Sequence, residues 1–146
     1  MPGPTVNRAM SAKPLTSRLI CGPHTSVAGK CVVTAQAIRI QVQTLATPFG
    51  AKSTDATTKF VGLSVLGIPV PVNLPPNTVI GIPGVGGLIL NEQFCDDGSY
   101  TMTHTCVGTG GHAGMTVRAL HLIAVVKGNA GIDVIVGEAH SDATFH

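Results

Sequence analysis

The feature that most constrains the fold is a run of 32 residues without a charged side chain, between Lys59 and Glu92. The run is long and apolar enough to resemble a membrane helix, but five prolines and six glycines interrupt it. A proline inside a helix removes a hydrogen bond and clashes with the preceding turn, at a cost of about 3 kcal/mol. We therefore predict no membrane span. The run is expected to form short apolar strands, at about 61–66, 78–82 and 87–94.

Strict alternation of apolar and polar residues predicts further β-strands. From Cys31 to Thr44, the side chains of Ile38, Ile40 and Val42 share one face, which indicates a half-buried strand. Threonine occupies every second position in SYTMTHTC, residues 99–106, and predicts another strand.

The C-terminal third of the chain predicts a hairpin. Residues 115–126 and 131–140 are apolar segments joined by KGNAG, whose glycine and asparagine tolerate positive φ. Residues 46–59 are polar and are predicted to be a connection, and the glycine-rich segment 107–114 a loop.

These patterns predict an all-β protein. No segment has the periodicity of an amphipathic helix of ten or more residues, and seven or so short strands favour an antiparallel β-sandwich, of which a jelly roll is one form. With 146 residues, the chain has the size of one domain. We predict an extended N-terminal arm at 1–18 and a single sandwich domain at 19–146. The arm is either a disordered terminus or a strand that pairs with a neighbouring copy.

Charged residues are scarce, at 11% of the chain against a usual figure of about 25%. Such a surface repels its own copies weakly and favours subunits that pack against one another. The net charge is only +2 and the nine Lys and Arg are scattered, so we predict no nucleic-acid partner.

The four cysteines form two close pairs, Cys21 with Cys31 and Cys95 with Cys106. Neither pair has the spacing of a zinc, redox or haem motif, so we predict two local disulfides and an extracellular or cell-surface location. Four buried free thiols in a cytosolic protein, or other pairings, are the alternatives. The first twenty residues contain no signal-like apolar run, so we expect that a leader has been removed or that export is unconventional.

Six histidines raise the question of a metal site. His121 and His140 lie on the two arms of the predicted hairpin, and His104 or His112 is a third candidate ligand. No HxH or HExxH spacing brings two ligands together, so we predict no metal and no cofactor, with His104, His121 and His140 as the candidates if a metal were bound.

No pattern of residues indicates catalysis, and we predict that the protein is not an enzyme. His140, Ser141 and Asp142 are adjacent, but neighbours on a strand point to opposite faces and cannot form a triad. Asp96 and Asp97, with Glu92 nearby, are predicted to form an Asp-Asp-Gly turn in preference to a calcium site.

The second half of the chain resembles the choice-of-anchor P family of bacterial secreted and surface proteins. The resemblance rests on GLSVLGIPVP, PPNTVIGIPGVGGLILNEQ, VRALHLIAV and DVIVGEAHSD and covers roughly residues 60–142. It implies an extracellular, β-rich protein attached to the cell envelope, and it implies no enzymatic activity and no catalytic residues.

Together these features predict an extracellular structural protein that assembles with copies of itself into a fibre or filament by strand addition. The alternative is a monomeric cell-surface adhesion or ligand-binding module that uses loops such as 46–59 and 107–114.

Overall fold

The computed structural model describes residues 5–14, 26–27, 30–126 and 129–145. All regular structure in these residues is β-strand, which confirms the predicted all-β class. That part of the chain accordingly holds no helix with the length and apolar character needed to cross a membrane.

The strands are, in chain order, β1 (Thr5–Pro14), β2 (Ser26–Val27), β3 (Lys30–Cys31), β4 (Val33–Thr34), β5 (Ala37–Thr47), β6 (Gly50–Val61), β7 (Ser64–Val65), β8 (Ile68–Pro69), β9 (Thr78–Ile82), β10 (Gly86–Cys95), β11 (Cys106–Val107), β12 (His112–Val126) and β13 (Asn129–Thr144). The strands predicted at 78–82 and 87–94 correspond to β9 and β10, and the predicted hairpin is the pair β12 and β13.

Two four-stranded antiparallel sheets make up the sandwich. The first sheet has the order β1-β5-β6-β11 and the second has the order β13-β12-β10-β9, while β2-β3 and β4-β7-β8 are small additional sheets. The predicted sandwich is therefore confirmed.

The core lies between the inner faces of the two sheets. The first sheet contributes Ile38, Ile40 and Val42, as the alternation in β5 predicts, and the second contributes large aliphatic side chains. The buried members from the second sheet are Ile82, Leu88, Leu90, Met115, Val117, Leu120 and Leu122. The charge-free run thus places part of its apolar surface in the protein's own core.

An irregularity crosses three neighbouring strands of the second sheet. Leu90 and Glu92 pair with Leu120 and Arg118, and Asn91 between them has a φ of 53°. On the other side, Gly137 has a φ of 71°, and an added Cβ there would lie 2.9 Å from Ile40 Cδ1. Left-handed backbone at these positions departs from the extended conformation and interrupts the strict alternation of side chains, while the pairing register stays unbroken. Further along β12 the outer face therefore carries His121, three residues after Arg118.

The prediction that residues 46–59 form a connection is wrong. They lie in the β5–β6 hairpin, whose turn is at residues 48–49. The inward positions of β6 hold mostly small or hydroxylated side chains, among them Ala51, Ser53 and Ala56. Because these residues are not strongly apolar, the sequence of β6 lacks the alternation of apolar and polar residues that would indicate its buried face.

The strand predicted at residues 99–106 is also wrong. The segment forms one isolated bridge, between Phe94 and Tyr100, and otherwise no strand before Cys106. The Thr101 hydroxyl group contacts the Thr105 carbonyl and the Thr103 amide. Local hydrogen bonds of this kind compete with those of a β-ladder. The threonines at every second position therefore belong to a folded loop and not to a strand.

The N-terminal arm includes a strand. β1 is antiparallel to β5 of the same chain over ten residue pairs, from Thr5 opposite Ala46 to Pro14 opposite Ala37. Its partner in this structure is thus the protein's own first sheet.

Candidate functional site: two charged clusters on the second sheet

The outer face of the second sheet carries a group of linked charges that we call the Glu92 cluster. Its members are Glu92, Tyr100, Arg118, His121, Asp133 and Glu138. The Glu92 side chain is almost fully buried, at 1% exposure, although it points away from the core. Its Oε2 accepts hydrogen bonds from Arg118 and His121, and its Oε1 accepts one from the Tyr100 hydroxyl group. A buried carboxylate requires such partners, because burial without them would cost several kcal/mol.

Arg118 links three strands through this cluster. Its Nη1 lies 3.3 Å from Glu92 Oε2 on β10, and its Nε lies 2.6 Å from Glu138 Oε2 on β13. The guanidinium carbon stands 4.8 Å from the centre of the Phe94 ring, a cation–π contact. Burial lowers the pKa of Arg118, but the hydrogen bond to Glu138 and the charges of both glutamates outweigh it, and the pKa is raised overall.

His121 lies between two carboxylates. Its Nδ1 is 2.9 Å from Glu92 Oε2, and its Nε2 is 2.6 Å from Asp133 Oδ1. The histidine is buried, whereas the Asp133 side chain is 69% exposed. The imidazole thus joins β12 to both of its neighbouring strands.

Tyr100 covers the cluster from the loop that follows β10. Its ring meets Phe94 edge to face, with the ring centres 6.1 Å apart. The negative charge of Glu92, followed by burial, raises the pKa of the Tyr100 phenol. Because both Glu92 oxygens already accept hydrogen bonds, the cluster is suited to neutralising charge and joining strands.

A second group, the Asp96 cluster, consists of Asp96, His112, His140 and Asp142. The Asp96 carboxylate lies over Gly114, where an added Cβ would overlap its Oδ2. Asp96 Oδ2 is 3.1 Å from His112 Nε2, and Asp96 Oδ1 is 3.8 Å from His140 Nδ1. The two oxygens of one carboxylate therefore face different histidines, and the donor atoms do not surround a common point.

The three candidate metal ligands lie in separate environments. His104 Nδ1 is 3.0 Å from the Ala56 carbonyl, between the sheets, while His121 and His140 belong to the two clusters. His121 pairs with Ile135 and His140 with Thr116, so they are separated by five positions along β12, or about 16 Å. Across the described parts of the chain, no three His, Cys, Asp or Glu side chains are placed to hold a metal ion.

One of the two predicted disulfides is described. Cys95 at the end of β10 and Cys106 at the start of β11 are joined, with their Cα atoms 5.6 Å apart. This bond closes the loop that carries Tyr100. Cys21 lies outside the described residues, and only the backbone is described at Cys31, so the other predicted disulfide lies outside them too.

The Asp-Asp-Gly segment forms the turn after β10. Asp97 Oδ1 accepts hydrogen bonds from the Ser99 amide and hydroxyl groups, and Gly98 adopts a φ of 83°. The two bonds from Ser99 lower the pKa of Asp97.

Sequence reasoning missed the Glu92 cluster, although part of it was readable. Arg118 and Glu138 lie on the two arms of the predicted hairpin, and the pairing of β12 with β13 places them opposite each other. Glu92 joins them through the pairing of β10 with β12, which no local pattern indicates.

Comparisons of the chain with protein-family models, with curated proteins and with solved structures found no match. The resemblance to the choice-of-anchor P family stays a prediction, and no residue role comes to this chain from a relative.

Proposed function

We propose that the protein is an extracellular structural subunit that assembles with copies of itself by exchanging β1. The observation that carries the proposal is the position of β1: among the strands that the structure describes, it comes first, lies at the edge of its sheet and pairs with β5 alone. A β1 strand from a neighbouring copy can form the same ten residue pairs on β5.

The exchange has a small cost in contacts, because the same backbone hydrogen bonds form within one chain or between two. What changes is the path of the connecting chain. Eleven residues separate β1 from β2, and they reach at most about 36 Å when extended. That span is comparable with the diameter of a small domain, so a donated strand can reach an adjacent subunit.

The charges of the first sheet also support exchange. Neither β1 nor β5 contains an Asp or a Glu, so no salt bridge can form between these two strands. The remaining surface is charge-poor and exposes apolar side chains, including Phe49, Ile68, Val79 and Val107. Subunits can therefore approach closely with little electrostatic repulsion.

The extracellular location is supported by the Cys95–Cys106 disulfide, because such bonds persist mainly in oxidising compartments. It also agrees with the resemblance to secreted bacterial surface proteins.

Removal of residues 1–18 tests the proposal. We expect the full chain to form filaments in electron micrographs. The truncated protein is expected to keep its β circular dichroism and the Cys95–Cys106 bond, and to remain monomeric in sedimentation. Filaments of undiminished number from the truncated protein would contradict β1 exchange.

A mixing experiment distinguishes β1 exchange from non-specific association of the subunits. The truncated protein can accept a β1 strand but cannot donate one, so we expect small amounts of it to cap growing assemblies and to shorten them in proportion to dose. A peptide of residues 1–18 should bind the truncated protein, while a scrambled peptide should not. Failure of both effects would overturn the mechanism.

A second function, a monomeric cell-surface adhesion or ligand-binding module, is favoured by one observation. A surface hollow of about 360 Å³ lies beside the disulfide, and its lining includes Asp96, Gly108 and His112. Its walls come from residues 107–109, from the start of β12 and from the turn after β10, and they could accept a small ligand. Discrete monomers at high protein concentration in sedimentation would favour this function over assembly.

A further inference from the structure

The environment of His121 has a consequence that does not depend on the proposed assembly. Both ring nitrogens face carboxylate oxygens, at 2.9 Å from Glu92 and 2.6 Å from Asp133. A neutral imidazole has one N–H donor, whereas an imidazolium has two. Only the protonated ring can therefore donate hydrogen bonds to both carboxylates.

We propose that His121 is a proton-operated clasp between β13 and the rest of the second sheet. When protonated, it joins Asp133 on β13 to Glu92 on β10. When it is neutral, one of its nitrogens presents a lone pair to a carboxylate, and that contact opens. Histidine is the side chain whose charge ordinarily changes between pH 5 and 8.

The two carboxylates differ in a way that decides which contact opens. Glu92 is buried and is also held by Arg118 and Tyr100, so it keeps the remaining N–H of the ring. Asp133 is mostly exposed and is free to turn into water. Loss of the proton therefore releases the Asp133 contact, at the edge strand.

The charged groups around His121 come from three strands. Glu92 faces it from β10, Asp133 faces it from β13, and Arg118 on its own strand is shared between Glu92 and Glu138. Tyr100 contributes a neutral hydroxyl group from the loop. The cluster thus contains three carboxylates and one guanidinium. The Asp96 cluster lies towards the opposite end of β12.

The test measures the His121 ring and the β13 backbone together. Long-range proton–nitrogen NMR of the full protein should find His121 doubly protonated at pH 5 and protonated on Nδ1 alone at pH 8. After correction for intrinsic rates, the amides of residues 132–135 should exchange with solvent about fivefold faster at pH 8, the effect of losing one hydrogen bond. An unchanged ring state or unchanged protection would overturn the proposal.

The variant Asp133→Asn keeps the shape of the side chain and removes its charge. Its amide can accept from an N–H or donate to a lone pair, so we expect the pH dependence of exchange at residues 132–135 to disappear. His140→Asn, on the same face of β13, is the control and should retain it. A full pH effect in Asp133→Asn, or its loss in His140→Asn, would contradict the clasp. If neither variant folds, the ring state and exchange of the unmodified protein still decide the question.

Discussion

The two edge strands β1 and β13 are attached to the sandwich in different ways. β1 pairs with β5, and neither of these strands carries an acidic residue, so no ion pair can join them. β13 pairs with β12, and its side-chain contacts include two ion pairs of the Glu92 cluster, Glu138 to Arg118 and Asp133 to His121. Both contacts lead to the buried carboxylate of Glu92 on β10.

The contrast shows how a chain with few charges uses them. An identical strand of a neighbour can form the same ladder and the same side-chain contacts, but a strand tied by ion pairs must break more contacts before it leaves its own sheet. An open edge is a template for pairing unless something specifies its partner. We therefore expect β1 to exchange between subunits and β13 to stay in place.

The largest effect on stability is expected from breaking the attachment of β13. Arg118→Ala leaves Glu92 buried with only His121 and Tyr100 as partners. We expect the free energy of unfolding to fall by about 3 kcal/mol and the melting temperature by roughly 10 °C. Urea and thermal denaturation, followed by circular dichroism, measure both quantities.

Arg39→Ala is the matched control, because Arg39 is an exposed arginine on β5 of the first sheet. Surface changes of this kind alter stability by about 0.5 kcal/mol or less. Equal losses of unfolding free energy in the two variants would show that the charges of the second sheet do not stabilise the attachment of β13.

The disulfide is expected to have the next largest effect. It closes a loop with a sequence separation of 11, and the paired change of Cys95 and Cys106 to alanine should lower the free energy of unfolding by about 2–3 kcal/mol. The change also loosens the loop that holds Tyr100 over Glu92. Denaturant titration measures the loss, and no change in the midpoint would contradict a stabilising role for the bond.

The smallest effect on stability is expected from Tyr100→Phe, which removes one hydrogen bond to Glu92, 3.2 Å long, and should cost about 1 kcal/mol. The raised pKa of Tyr100 has its own readout, because the chain contains a single tyrosine. Ultraviolet titration of the folded protein should give a midpoint above the ordinary value of about 10.

The sign of the pH dependence follows from that raised pKa. Between the unfolded and folded pKa values of Tyr100, the folded state binds more protons, so its contribution to stability is present below pH 10 and is lost as the pH rises. Glu92→Gln removes the main cause and should move the titration midpoint downwards. An unchanged titration midpoint in Glu92→Gln would show that Glu92 does not raise the pKa of Tyr100.

Much of the fold could be predicted from the sequence, because its strongest signals are local. Proline positions exclude a helix in the charge-free run, and the alternation in β5 identifies its buried face. Two local signals misled: the small inward residues of β6 resemble a polar connection, and the threonines at 101, 103 and 105 resemble a strand. Small and short polar side chains occur both in strands and in loops. In both segments the sequence pattern therefore does not indicate whether the backbone pairs with a neighbouring strand.

The Glu92 cluster was less predictable, since it depends on pairings between distant parts of the chain. The irregularity at Asn91 and Gly137 places Arg118 and His121 on one face although they are three residues apart. Simple alternation assigns residues at that spacing to opposite faces. The cluster therefore required the register of three strands together.

Cysteine cross-linking across the β1–β5 ladder tests β1 exchange most directly. Met10 and Gln41 are opposite each other, at a spacing where paired cysteines can form a disulfide. In assemblies of the double variant Met10→Cys, Gln41→Cys, we predict covalent bonds between different chains, seen as a ladder of dimers, trimers and longer species on a non-reducing gel. Assemblies that persist while the cross-link forms only within single chains would contradict the account.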